Sequence, residues 1–345
     1  MYGVDVRPAI PSLIAKHINL FICPVCRGDL LLNSDHLQCS SCSHEYRSEE
    51  GIPLLFWPHE WKEAKTDVTE VMKTFYEETP FPNYEELDSS NRLREKAQKG
   101  LFVRLLDEQI HHSARILEIG CGTGQLTNFL GMTWGRTVFG TDICLNSLRL
   151  GQGFKARNAI EHCAFLQMNL FQPVFKPESF DVVVCNGVLH HTSNPLRGFQ
   201  SIAALVKKGG FIIVGLYNRY GRVSTYARRV MFRLSGDRLK FLDSRLRDKN
   251  LSEIRKHTWL MDQYYNPHES THTVGEVLRW FDQSGFTFVH SIPKPEAFDS
   301  FSPHEKLFET LPKGNKLDHF LVQLGMLCSG GTEGGFFIMI GSKQS

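Results

Sequence analysis

"LEIGCGTGQL", residues 117–126, sets three glycines at alternate positions behind an apolar run that carries an acid. The run "ARILEIG" at 114–120 has strand length, and Gln125–Leu130 reads as the helix that follows, so the glycines occupy a strand-to-helix turn. Bare backbone in that turn lets a ligand approach the main chain. A pyrophosphate-binding turn asks for GxGxxG, whereas the spacing here is GxGxG. Glu118 stands two residues before Gly120, where a carboxylate repels a pyrophosphate and suits a ligand with a positive end. The next run, "TVFGTDI" at 137–143, ends in Asp142, placed to accept from the two hydroxyls of a ribose.

Outward from this turn, "CAFLQMNL" (163–170), "FDVVVCNGV" (180–188), "GFIIVGLYN" (210–218), "FTFVHSIP" (286–293) and "GGFFIMIGSK" (334–343) complete seven runs of strand length. Their continuous apolar character predicts strands buried on both faces, hence an α/β fold with a parallel sheet. Residues 1–66 read as a small module and 67–113 as a helical cap or linker. Residues 114–345 read as the main domain, with a helical insertion at about 219–272 after the fifth strand. In "TVGEVLRWFDQSG", Thr273 and Glu276 form a capping box and Gly285 stops the helix.

An adenosine carrying a cationic amino-acid tail fits both carboxylates, and S-adenosylmethionine is that molecule. On the residues just quoted, the stretch from 114 to 218 resembles the class I S-adenosylmethionine-dependent methyltransferases. The resemblance implies a seven-stranded Rossmann-like sheet with helices on both faces. It implies that Gly120, Cys121, Gly122 and Gly124 line the methionine and ribose and that Glu118 orients the loop and the amino group. Asp142 and Ile143 hold the ribose side in this reading. The family often has an acid after the third strand to accept from the adenine amino group. This chain reads "QMNL", so Asn169, beside Leu170, has to use its side-chain carbonyl.

The fourth run ends "CNGVLHHTSNP", similar to quinone-biosynthesis methyltransferases, which sets Asn186 and Gly187 at the sulfonium side and His190 and His191 at the mouth. Methyl transfer from an activated donor depends mainly on positioning, but an oxygen or nitrogen acceptor must still lose a proton. Either histidine titrates in the right range for that, or the pair caps the next helix and packs on the cofactor. "HESTH" at 268–272 matches HExxH, yet Pro267 and the helix start after Thr273 argue against a metalloprotease helix. Tyr264, Tyr265, His268, Glu269 and His272 read instead as the lining of an acceptor pocket or as a solvated loop. In "FYEETPFPNY", Phe75 and Phe81 read as core, while Tyr76 and Tyr84 stay open between core and a cover over the cofactor.

Four of the nine cysteines form Cys23-x2-Cys26 and, twelve residues on, Cys39-x2-Cys42. Two such knuckles make a closed tetrahedral zinc site, which is structural because it leaves no position for water. The segment looks like the zinc-ribbon proteins that activate transfer-RNA and protein methyltransferases. Ribosomal-RNA guanine methyltransferases also carry a cysteine-rich finger, so the ribbon reads as a substrate-binding device or as a scaffold. The other five cysteines, 121, 144, 163, 185 and 328, read as reduced, buried residues of a cytoplasmic protein.

A net charge of +2 with 41% hydrophobic residues over 345 positions excludes a general polyanion binder and a disordered acidic tail. Neither a secretory signal nor a run of transmembrane length is expected. From Arg219 to Lys256, twelve Lys or Arg face four Asp or Glu, and this basic stretch suits solvated arginines, a membrane surface or an anionic substrate. The expected activity is methylation of a small or medium-sized metabolite, lipid-linked or anionic. The alternatives are an rRNA or tRNA base methyltransferase using the ribbon, and a cofactor-binding scaffold without turnover. Nothing in the sequence speaks to oligomeric state.

Overall fold

A computed structural model describes residues 10–33, 35–59, 68–82, 84, 89–236, 238–296, 299–328 and 335–344. The expected boundary between ribbon and helical cap, at 66/67, lies outside them. All seven expected strands form: β1 (Arg115–Ile119), β2 (Thr137–Asp142), β3 (Cys163–Gln167), β4 (Phe180–Asn186), β5 (Val206–Tyr217), β6 (Phe286–Ile292) and β7 (Phe336–Lys343). They make one sheet in the order β6-β7-β5-β4-β1-β2-β3. β3, β2, β1, β4 and β5 are parallel. The sheet is mostly parallel as expected, and β7 alone runs antiparallel to both of its neighbours, β5 and β6.

Alternation along the strands builds two cores. Leu117, Phe139, Val183 and Cys185 face one side, while Ile116, Val138, Val182 and Val184 face the other. Helices cover both faces: Phe199 of Pro195–Ala203 and Val277 of Val274–Gln283 on the first, Leu105 and Leu106 of Leu101–Gln109 on the second. The helix Val274–Gln283 begins as expected, with the Thr273 hydroxyl accepting from the Glu276 amide at 3.2 Å.

The cysteine module joins the first core. Phe21 meets Phe139 edge-on at 5.6 Å and Phe175 at 4.8 Å, and Leu37 and Tyr46 belong to the same apolar cluster. So small a module has little core of its own, and packing on the sheet supplies the missing burial. Its exit segment runs beside the edge strand β3, where the Leu55 amide donates to the Gln167 carbonyl at 3.0 Å. That covers main-chain groups an edge strand otherwise leaves open. The sulfurs of Cys23, Cys26, Cys39 and Cys42 lie within 4.8 Å of one another, with pairs at 3.7 and 3.3 Å. Thiolates around a tetrahedral zinc stand about 3.8 Å apart, so the set fits the metal, and amides of Ser41 and Cys42 aim at the Cys39 sulfur.

The region after β5 departs from expectation in two places. Val223–Ser235 and Glu253–Leu260 are helices, but the expected polar loop begins as a π-helical turn, Met261–Tyr265. A further helix, Lys316–Cys328, precedes β7. Cys121, Cys144, Cys163 and Cys185 are buried and free, and the Cys328 side chain lies outside the described residues. No helix among the described residues is long and apolar enough to cross a membrane.

Candidate functional site

The carboxyl ends of β1, β2 and β4 open into a cavity of about 770 Å3. Its floor is the glycine turn. Gly120, Gly122 and Gly124 all have left-handed φ, at 64°, 53° and 72°. The glycines have different reasons to be bare. A Cβ on Gly122 would stand 2.3 Å from the Phe81 carbonyl oxygen, because residues 81–82 lie over the turn, where the Thr123 hydroxyl donates to Pro82. A Cβ on Gly124 would stand 2.2 Å from the Phe165 ring, so that glycine serves packing and does not line the cavity.

Two carboxylates frame this floor. Asp142 accepts from the amides of Gly122 and Cys144, each at 2.8 Å, which ties the end of β2 to the turn. Glu118 accepts from the Thr127 hydroxyl. Burial pushes the Glu118 carboxyl up to about 7, with the Thr127 hydroxyl and amide opposing and the Asp142 charge adding to the rise. Burial also raises Asp142, against the pull of the Cys144, Gly122 and Ile143 amides. Among the described residues neither acid forms an ion pair. Two carboxylates without a cation, one buried and one half-buried, both lining one cavity, suit a ligand that brings positive charge and hydroxyl donors.

Cys121, Ile143, Leu170, Asn186 and Gly187 line the same cavity. Asn186 needs Gly215 across from it on β5, where a Cβ would fall 1.7 Å from its Oδ1, a signal present in "IIVGLYN" and missed. Asn169 lines the cavity too, but its amide is committed. Its Nδ2 donates to the Trp57 carbonyl at 3.0 Å and its Oδ1 accepts from the Phe171 amide at 3.0 Å. The Asn169 carbonyl oxygen thus has one of its two acceptor positions filled, and the Nδ2 group fastens the ribbon's exit segment beside the cavity.

Of the six proposed catalytic side chains, only His191 lines the cavity. Its Nδ1 lies 2.8 Å from the His268 carbonyl. A carbonyl only accepts, so Nδ1 carries the proton and Nε2 holds the free lone pair. Burial lowers the His191 pKa, against the opposite pull of Asp262 and the His268 carbonyl, which keeps the ring neutral. His190 is buried behind it, its ring 4.2 Å from both His191 and Tyr217, and burial lowers its pKa well below the usual histidine range.

The remaining four are placed elsewhere. The π turn directs Asp262 and Gln263 to the cavity and Tyr264 away from it, into a small core with Phe232, where its hydroxyl donates to Asp243 at 2.5 Å. Tyr265 packs against that core. His268 donates from Nε2 to the Thr192 carbonyl at 3.0 Å. His272 is held by Glu276 at 3.0 Å and Ser270 at 2.9 Å. These groups brace the segment and do not face the cavity.

Residues outside those six take their place. Tyr76 lines the cavity and donates to Asp262 Oδ1 at 3.0 Å. Gln263 donates to Asp262 Oδ2 at 2.7 Å and to the Tyr217 hydroxyl at 2.8 Å. Behind them Arg222, 0% exposed, grips Glu269 through two bonds of 2.7 and 2.6 Å, donates to Gln263 Oε1 at 2.6 Å and stacks 3.6 Å over the Tyr217 ring. Phe81 lines the cavity and is not core, whereas Tyr84 is core, stacked on Phe154 at 4.6 Å.

A family model described as "Methyltransferase domain" matches residues 90–291. An uncharacterised protein of Synechococcus sp. is 27% identical over 198 residues, covering 51% of this chain and 48% of its own length, so the chain spans about half of that relative. A ubiquinone biosynthesis O-methyltransferase of Vibrio cholerae is 30% identical over 176 residues, covering 47% of this chain and 69% of that protein. Among solved structures, PKMT2 from Rickettsia typhi in complex with AdoHcy is similar with a TM-score of 0.49 at 17% identity, over 68% of this chain and 49% of that one. With the family match covering more than half of its length, behind the acid-flanked glycine turn and the sheet order just described, the chain belongs to the S-adenosylmethionine-dependent class I methyltransferases.

Proposed function

We propose that this protein methylates a small or medium-sized, largely apolar acceptor, with His191 taking the acceptor's proton. The observation that carries this reading is the shared cavity, lined by two carboxylates without an ion pair and by a neutral, anchored histidine. S-adenosylmethionine, when bound, supplies an already activated methyl group. Glu118 would hold its amino group and Asp142 its ribose, while the bare backbone of Gly120 to Gly122 would allow it close approach. Asn186 and Gly187, which line the same cavity, would border the reacting end. His191 receives a proton at Nε2, and Asp262 stabilises the imidazolium that forms. Phe81, Leu101, Trp259 and Phe336 give the rest of the lining its apolar character. The ubiquinone biosynthesis O-methyltransferase relative favours an oxygen acceptor.

The test incubates the protein with methyl-labelled S-adenosylmethionine and a fractionated lysate. Label in the organic extract supports the reading. Label that nuclease removes overturns the acceptor class in favour of RNA. Bound S-adenosylhomocysteine with no label in any fraction favours a scaffold.

A further inference from the structure

The helix Val223–Ser235 buries its polar and aromatic side and exposes its aliphatic one. Arg222, Thr225 and Phe232 point inward. Val223, Val230, Met231 and Leu234 are exposed, Leu234 to 84%, and their spacing puts them on one face. The helix Lys316–Cys328 does the same with Leu317, Phe320 and Leu324. The residues that lead into the first helix touch the second: Tyr220 meets Phe320 edge-on at 6.2 Å, and Gly221 lies against Met326. Beyond the first helix, Phe241, Leu242 and Ile254 are exposed as well. Scattered exposed apolar residues are ordinary, but helix faces aligned in this way call for a partner.

The charge around these faces selects the partner. Between Arg219 and Lys256 twelve basic residues face four acidic ones, and Arg233, Arg238, Arg245, Arg247 and Lys249 are exposed. A two-fold dimer through this face would press the basic rim against its own copy. A nucleic acid would meet aliphatic side chains where stacking platforms are needed. An anionic lipid surface accepts both features, with aliphatic side chains entering the headgroup boundary and arginines meeting phosphates.

We propose that the outer face of the 223–256 insertion, with the adjoining face of Lys316–Cys328, docks this protein on an anionic lipid surface. Arg245 of this stretch and Trp259, three residues beyond it, line the cavity, which gives an apolar acceptor a route from the bilayer; that route rests on the function proposed above, and the docking does not.

The full chain is sedimented with phosphatidylcholine vesicles, with and without phosphatidylglycerol. Binding to the phosphatidylglycerol vesicles is expected, weakening as salt rises. The double variant Val230→Glu/Leu234→Glu should lose about tenfold or more of that binding and keep its S-adenosylhomocysteine affinity, which reports an intact fold. Absence of vesicle binding, or binding that the double variant leaves unchanged, overturns the proposal. Self-association or nuclease-sensitive RNA binding that the variant abolishes, without vesicle binding, assigns the face to a second copy or to RNA. Vesicle binding without S-adenosylhomocysteine affinity would sink the methyl-transfer reading alone.

Discussion

Between Ile119 and Gln125 the chain builds its part of the cavity from main chain: left-handed glycines, with an Asp142 carboxylate held by two amides. Between Tyr217 and Glu269 it supports another part, lined by Tyr217 and Gln263, with side chains more than forty residues apart, an Arg222–Glu269 pair wedged behind those two. The first device is local, and it leaves its two acids unpaired for a ligand. The second is long-range and internally satisfied, so its charges hold shape. One half is poised to bind, the other to stay rigid around His191.

That contrast can be broken by experiment. The largest effect is expected from His191→Phe, which should lower kcat about 10²–10⁴-fold while calorimetry shows S-adenosylhomocysteine affinity preserved. Equal losses in both would make the ring a cofactor prop. Glu269→Ala strands Arg222 in a site where their side chains are 1% and 0% exposed. Denaturant unfolding should report a loss of about 3–5 kcal/mol, and a surface-like loss under about 1 kcal/mol would deny the insertion its rigid role.

On the binding half, Asp142→Ala should cost about 1.5–3 kcal/mol of cofactor affinity, roughly ten- to a hundredfold by calorimetry, with the fold retained. Unchanged affinity would mean that the ribose lies elsewhere. The smallest effect is on pH. Glu118 in the free protein loses its proton only near 7, well above the ordinary carboxylate value, so its ionisation costs stability as pH rises from the carboxylate range to about 7. A cationic ligand reverses that cost by favouring the carboxylate. Affinity for S-adenosylhomocysteine should therefore fall below pH 7, by no more than about tenfold per pH unit, with a proton released on binding. Flat affinity from pH 8 to 6 would show that Glu118 does not meet the charge.

Legibility follows the same divide. "LEIGCGTGQL" carried its turn, its acid and the helix start at Gln125 because all three depend on neighbours in sequence. The cysteine knuckles were equally readable, since their spacing within one short module already brings four sulfurs together. The tie made by Asn169 was not legible: nothing in "QMNL" announces the Trp57 carbonyl, more than a hundred residues away, that takes its amide.

The sequence by itself determined the seven strands, the cofactor turn and the tetrathiolate site, each written in period, spacing or backbone permissiveness. Only the tertiary structure decided the antiparallel placement of β7, and which of six polar candidates faces the cavity. Choosing His191 over His268, His272 and Tyr264 depends on a carbonyl at His268, on acceptors at Thr192 and Asp243, and on a π turn that sends adjacent side chains in different directions. Those are contacts between distant segments, and they exist only once packing has brought the segments together.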